Sequence, residues 1–236
     1  MKGCIIFAGE SFRSGSQRTR VRGLEESYEG QILACKSHVE FIEKIEKKFN
    51  LEKLSVYISS YTTKYDDDLL KIYEKYLIGK KYYENPVGFN NLFHNSVKEI
   101  GCMDDYDFIL VMRIDLCLEE VFMNMFDPRW KTIQFLCSTW FRDCKVVNHP
   151  RVNDMMVFIP KKYYKYSDYI LNGDCSDWHH MWAELIYSTN LTYDDLDMMV
   201  NTYHDSDTEK DYNPFYYVVN RPRCAKWHSE GFIFRK

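Results

Sequence analysis

The chain has 236 residues, 45% of them hydrophobic and 28% charged, with a formal net charge of −4 and a pI near 6.0. That length can bury a substantial core, and it favours one domain, residues 1–236, over two small ones. The mildly acidic balance argues against nucleic-acid binding, which needs a broad basic face, and no apolar run is long enough for an integral membrane segment. The eight cysteines form no CxxC pair, so reduced and mostly buried thiols are expected rather than a zinc ribbon or a disulfide framework. The opening MKGCIIFAG is too short an apolar stretch for a signal peptide, and a cytoplasmic location is expected.

Residues 4–7 (CIIF) predict a first strand, followed at 9–23 by a loop rich in Gly, Ser and Arg. From about 29 to 49, apolar residues recur at Ile32, Cys35, Val39, Ile42, Ile45 and Phe49, the three/four spacing of an amphipathic helix. Residues 54–59 predict a second strand ending at Ser59, Ser60 and Tyr61, residues 69–77 a helix, and 79–88 a turn-rich break. Leu92, Phe93, Val97 and Ile100 mark a further helical face that Gly101 closes. The apolar run 108–112 suits a strand covered on both faces, of the kind found in mainly parallel sheets. Strands at 132–137 and 155–159, helices at 161–171 and 178–188, and a short strand at 216–219 complete the pattern. Strands alternating with helices imply an α/β fold with a central, mainly parallel sheet flanked by helices.

In open α/β sheets, ligands bind beyond the carboxyl ends of strands. That rule draws attention to Arg113-Ile114-Asp115, where the run 108–112 passes straight into charge. The alternative is an ordinary solvated Arg/Asp turn, with Arg113 in a salt bridge to a nearby carboxylate. Arg13, Arg18, Arg20 and Arg22 crowd the loop after the first strand, a basic segment that could fold over a diphosphate or remain solvated. Asp66 to Asp68 and Asp194 to Asp197 read as helix starts or solvated faces. His180 and Glu184, four apart on an expected helix, could share a metal but lack the remaining ligands.

Three blocks resemble nucleotide-sugar glycosyltransferases with a glycosyltransferase-A-like fold, of the type found in bacteria and large DNA viruses: GESFR at 9–13, YDFILVMRIDL at 106–116, and VNDMMVFIPKKYYKYS at 152–167. The block at 106–116 resembles a variant of the Asp-x-Asp motif, with Arg113 where the usual motif has its first carboxylate. The resemblance implies a single-domain, Rossmann-like fold with a nucleotide-binding half at about 1–115 and an acceptor-side half at about 116–236. It implies transfer from a nucleoside-diphosphate sugar, a UDP sugar foremost, to a glycan or glycoprotein acceptor, assisted by Mn²⁺ or Mg²⁺. Asp115 would be a hard-oxygen metal ligand, and His228 near the carboxyl terminus would complete the site, with His204 as competitor. Arg113 would contact a phosphate or the sugar through its planar fork. Gly9, Glu10, Ser11 and Arg13 would line the donor, Ser59, Ser60 and Tyr61, by their position at the next strand's end, could hold the base, and, for inversion at the anomeric carbon, Asp154 would take the acceptor's proton, with Asp174 and Asp177 as alternatives. A sugar-phosphate nucleotidyltransferase, or a binding protein that keeps the fold without catalysis, would share much of this pattern.

Overall fold

The computed structural model describes residues 1–14, 21–85, 87, 89–100, 103–139, 150–172, 178–200, 203–204 and 215–219. In chain order the elements are β1 (Gly3–Gly9), β2 (Arg13–Ser14), β3 (Val21–Arg22), α1 (Tyr28–Phe49), β4 (Ser55–Tyr61), α2 (Asp66–Tyr73), β5 (Leu77–Tyr83) and α3 (Phe89–Ile100). They continue with β6 (Phe108–Arg113), β7 (Leu116–Leu118), α4 (Glu120–Met125), β8 (Ile133–Phe135), β9 (Ser138–Thr139) and β10 (Met156–Pro160). A 3₁₀ turn over Lys161–Tyr166 then leads into α5 (Ser167–Asn172), α6 (Met181–Ser188), β11 (Leu196–Met198), β12 (Tyr203–His204) and β13 (Tyr216–Val218).

Seven strands form the central sheet in the order β11-β8-β10-β6-β1-β4-β5. The pairs β6-β1, β1-β4 and β4-β5 are parallel, while β10 runs antiparallel to both β6 and β8. This is the α/β architecture expected from the sequence, a mainly parallel mixed sheet flanked by helices. Because successive side chains of a strand point to opposite faces, the inner strands feed two cores. Ile5, Phe7, Leu110, Met112 and Phe158 pack under α1, α2 and α4. Cys4, Ile6, Ala8, Ile109, Val111 and Ile159 pack against the helices on the opposite face. Burial of each large apolar side chain contributes about 1.5–3 kcal/mol, and every residue of β1 and β6 is buried.

The helix expected at 29–49 is α1, closed by Asn50 in the left-handed conformation, whose N–H donates to Glu46 O. One expectation fails: where the sequence predicts a helix end and a turn-rich break, the chain forms the edge strand β5, paired in parallel with β4. Gly79 does not mark a turn there. A Cβ at that position would lie 2.7 Å from Cε2 of Tyr57, so glycine lets the aromatic ring lie against the strand. Exposed Ile78, Lys80 and Lys81 occupy this sheet edge, where lysine discourages pairing with another chain. Cys4, Cys35, Cys117 and Cys137 are buried. Among the described residues no helix is long and apolar enough to cross a membrane.

Candidate functional site

Strand register brings three sequence blocks to one rim of the sheet. Ala8 lies beside Ser59 on one side and Arg113 on the other, and Gly9 lies beside Ser60, so β1, β4 and β6 end together. Strand β10 is antiparallel, with Met156 opposite Met112, and so the residues preceding it arrive at the same rim. Asn153-Asp154 therefore meets Arg113-Ile114-Asp115 although the two segments belong to strands of opposite direction.

Arg113 and Asp115 are both buried, at 8% and 2% exposure. Arg113 Nε donates to Asp115 Oδ1 at 2.8 Å and Nη2 donates to Oδ2 at 2.5 Å, a side-on bidentate pair. The remaining guanidinium nitrogen, Nη1, lies 3.7 Å from Asp154 Oδ2 and forms no hydrogen bond with the described residues. Burial penalises the arginine's charge, but Asp115 and Asp154 outweigh it and raise the Arg113 pKa, with a smaller contribution from Glu10. Asp154 is the open end of the cluster, its side chain one-third exposed. It does not cap its own turn. Asn153 does so, its Oδ1 accepting the Met155 N–H at 2.8 Å while its own N–H donates to Cys137 O.

The loop after β1 turns sharply. Gly9 has φ +127°, a conformation that glycine adopts without cost, and Phe12 is left-handed with φ +49°. Such a non-glycine residue persists only when its surroundings fix it. Here the Phe12 N–H donates to Gln31 Oε1 (3.1 Å), its carbonyl accepts from Gly23 N and Ser27 Oγ (2.8 Å each), and its ring packs on Tyr28 and Tyr65. Glu10 and Arg13 pair at 2.9 Å, so Arg13 is directed at a carboxylate of its own loop.

The Ser59, Ser60 and Tyr61 cluster is at the expected strand end but engaged internally. Ser59 Oγ donates to Leu92 O, the Ser60 hydroxyl meets the Ser11 hydroxyl at 2.8 Å, and all three serines are fully buried. The Arg22 guanidinium sits 4.3 Å above the Tyr61 ring, a cation–π contact that covers one face. Of the remaining expectations, His228, Asp174, Asp177, Arg18 and Arg20 lie outside the described residues, as does the side chain of His204.

Helix α1 supplies residues that sequence reasoning missed. Gln31 Nε2 donates to Ile114 O at 2.7 Å while Gln31 Oε1 holds Phe12, so one buried amide joins the GESF loop to the RID turn. Two turns on, His38 Nε2 contacts Leu116 O at 2.5 Å and Nδ1 contacts the Tyr73 hydroxyl at 2.6 Å. A carbonyl can only accept, so Nε2 carries the proton and the tyrosine donates to Nδ1. Burial lowers the His38 pKa to about 4, although the Leu116 carbonyl and Asp115 favour its charged form. Ser37 Oγ accepts the Leu118 N–H. The available sequence signal was polar residues seven apart, Gln31 and His38, on the stripe that carries Cys35, Ile42 and Ile45.

Among the described residues, the carboxylate expected to hold a divalent cation, Asp115, already has both oxygens on the Arg113 guanidinium. No group of three or more His, Cys, Asp or Glu side chains among them converges on one point. Arg113 lies between Asp115 and Asp154, so an ion at Asp115 would have to displace or adjoin a buried guanidinium.

No protein-family model matches the chain, and no curated protein matches it. Solved structures do. A proposed nucleotide-diphospho-sugar transferase from Desulfovibrio desulfuricans is 12% identical, with 87% of this chain and 82% of that chain covered and a TM-score of 0.47. A glycosyltransferase involved in glycosylation of the major capsid of PBCV-1 is 7% identical, with 88% and 82% covered and a TM-score of 0.42. The 4-diphosphocytidyl-2C-methyl-D-erythritol synthase from Anaerococcus prevotii is 12% identical, with 84% and 86% covered and a TM-score of 0.47.

Proposed function

We propose that this protein is a glycosyltransferase that moves a sugar from a nucleoside-diphosphate sugar, a UDP sugar first among candidates, to a hydroxyl of a glycan or glycoprotein. One observation carries the reading: a buried guanidinium and a part-exposed carboxylate, Arg113 and Asp154, face each other at the carboxyl-end rim of β1, β4 and β6. Sugar transfer with inversion at the anomeric carbon uses a carboxylate base and a cationic partner for the leaving group. The acceptor oxygen attacks the anomeric carbon and gives its proton to Asp154, while the bond to the diphosphate breaks and its electron pair leaves with the phosphate. Negative charge grows on that leaving group, where a preorganised donor lowers the barrier. The Glu10-Ser11-Phe12 loop and Ser59 to Tyr61 flank the same rim, with the part-exposed Glu10 side chain the member of these segments that a donor could meet.

The test is a thermal-shift panel of UDP, GDP, dTDP and CDP sugars, followed by measurement of nucleoside diphosphate released in the presence of glycan acceptors. A ligand that binds only the folded state raises its stability, so one nucleotide class should shift the transition and its donor should be consumed. Pyrophosphate release from UTP and a sugar phosphate, without sugar transfer, would instead identify a nucleotidyltransferase.

A further inference from the structure

We propose that the cation of this site is Arg113 itself: a fixed guanidinium, in place of a divalent metal, binds the diphosphate of the donor. The inference rests on the glycosyltransferase reading and deepens it. Three features of the cluster support it. Arg113 is more than nine-tenths buried, yet its Nη1 group makes no hydrogen bond with the described residues, the nearest acidic oxygen being that of Asp154 at 3.7 Å. Asp115 uses both oxygens to grip the opposite edge, Nε and Nη2, and so fixes the plane and direction of the fork. Asp154, beside Nη1, is the part-exposed member of the cluster, so a ligand approaching from solvent meets that edge.

An arginine whose donors are oriented before a ligand arrives suits planar, two-point recognition of phosphate oxygens. A hydrated Mg²⁺ or Mn²⁺ would need one or two carboxylates with oxygens open to it, beside the substrate phosphates. Here Asp115 already serves the guanidinium, and a second cation beside it would be repelled. In this scheme Asp115 is a positioning residue and Arg113 the group that touches the donor.

The experiment uses the full chain in three arms. Mn²⁺ is titrated with protein and followed by electron paramagnetic resonance, and the spectrum of the free ion should persist. UDP and inorganic pyrophosphate are titrated by calorimetry in EDTA, and binding should survive chelation. Arg113→Lys, which keeps the charge and loses the fork, should weaken that binding by about tenfold or more, with Arg113→Gln weaker still if it folds. Stoichiometric loss of the Mn²⁺ signal, or nucleotide binding that vanishes in EDTA and returns with Mn²⁺, would overturn the assignment of Arg113 while leaving the transferase reading in place. Absence of nucleotide or pyrophosphate binding under every condition would remove both.

Discussion

Arg113 and Asp115, two residues apart, meet side-on across the turn that ends β6, and a single guanidinium engages both oxygens of the carboxylate. The two charged residues of the motif therefore depend on each other, and substituting either one removes the bidentate partner of the other. Removing one member of a buried pair typically costs about 3–5 kcal/mol, which is what Asp115→Asn should subtract from stability here. Urea unfolding of Asp115→Asn, Arg113→Met and the double variant forms the check. The double variant should be less damaged than the sum of the singles, and strict additivity would show that the pair is not coupled. Loss of activity in Asp115→Asn must accordingly be weighed beside its unfolding curve.

Gln31 is the only side chain among the described residues that bonds both the loop after β1 and the RID turn. Gln31→Leu keeps most of the volume but orphans the Phe12 N–H and the Ile114 carbonyl. Each unsatisfied buried group costs about 1–3 kcal/mol, so a loss of roughly 2–5 kcal/mol is expected. Amide exchange at Phe12 should accelerate beyond the change in global stability. Uniform acceleration across the chain would mean that Gln31 merely fills space.

His38 gives stability a pH dependence with a definite sign. Its pKa is about 4 in the folded protein against an ordinary value of 6.5, mainly because burial disfavours the charged ring. The unfolded chain therefore binds the proton first as pH falls. The stabilisation is complete above about pH 6.5, declines between there and about pH 4, and is gone below, an effect of about 3 kcal/mol. His38→Phe should flatten this limb of the stability profile while lowering its plateau, because the bonds to Leu116 and Tyr73 are lost. Equal slopes in the two proteins across that pH range would assign the dependence to other groups.

Gly79 should tolerate no side chain. Gly79→Val would push methyl groups into the Tyr57 ring, whose Cε2 already lies 2.7 Å from a Cβ built there. Overpacking of this kind costs about 1–3 kcal/mol, measurable as a lowered thermal midpoint. An unchanged midpoint would show that the edge strand moves aside freely.

The central strand and the charge that follows it were legible because an unbroken apolar run has few other uses. Asp154 was legible because an acidic residue abuts another such run. Strand β5 was not, since Gly79 reads as a turn until the Tyr57 ring is seen against it. Gln31, Ser37 and His38 were hidden for another reason: their partners are main-chain atoms of residues 114–118, which no helical periodicity reveals. Ser59 and Ser60 were placed correctly at their strand end, but their hydroxyls hold Leu92 and Ser11. Of the two readings that sequence leaves open at Arg113, the structure shows the salt bridge, one edge of the guanidinium on Asp115 and the other 3.7 Å from Asp154.

The reversed direction of β10 also bears on how the protein is made. Asp154 reaches the rim only after β6 has found β1 and β10 has folded back along β6, pairings between distant parts of the chain. Contacts so far apart in sequence form slowly. A nascent chain released through β6 thus has its arginine and its first loop but not the carboxylate opposite them, and the charged cluster is completed late in synthesis.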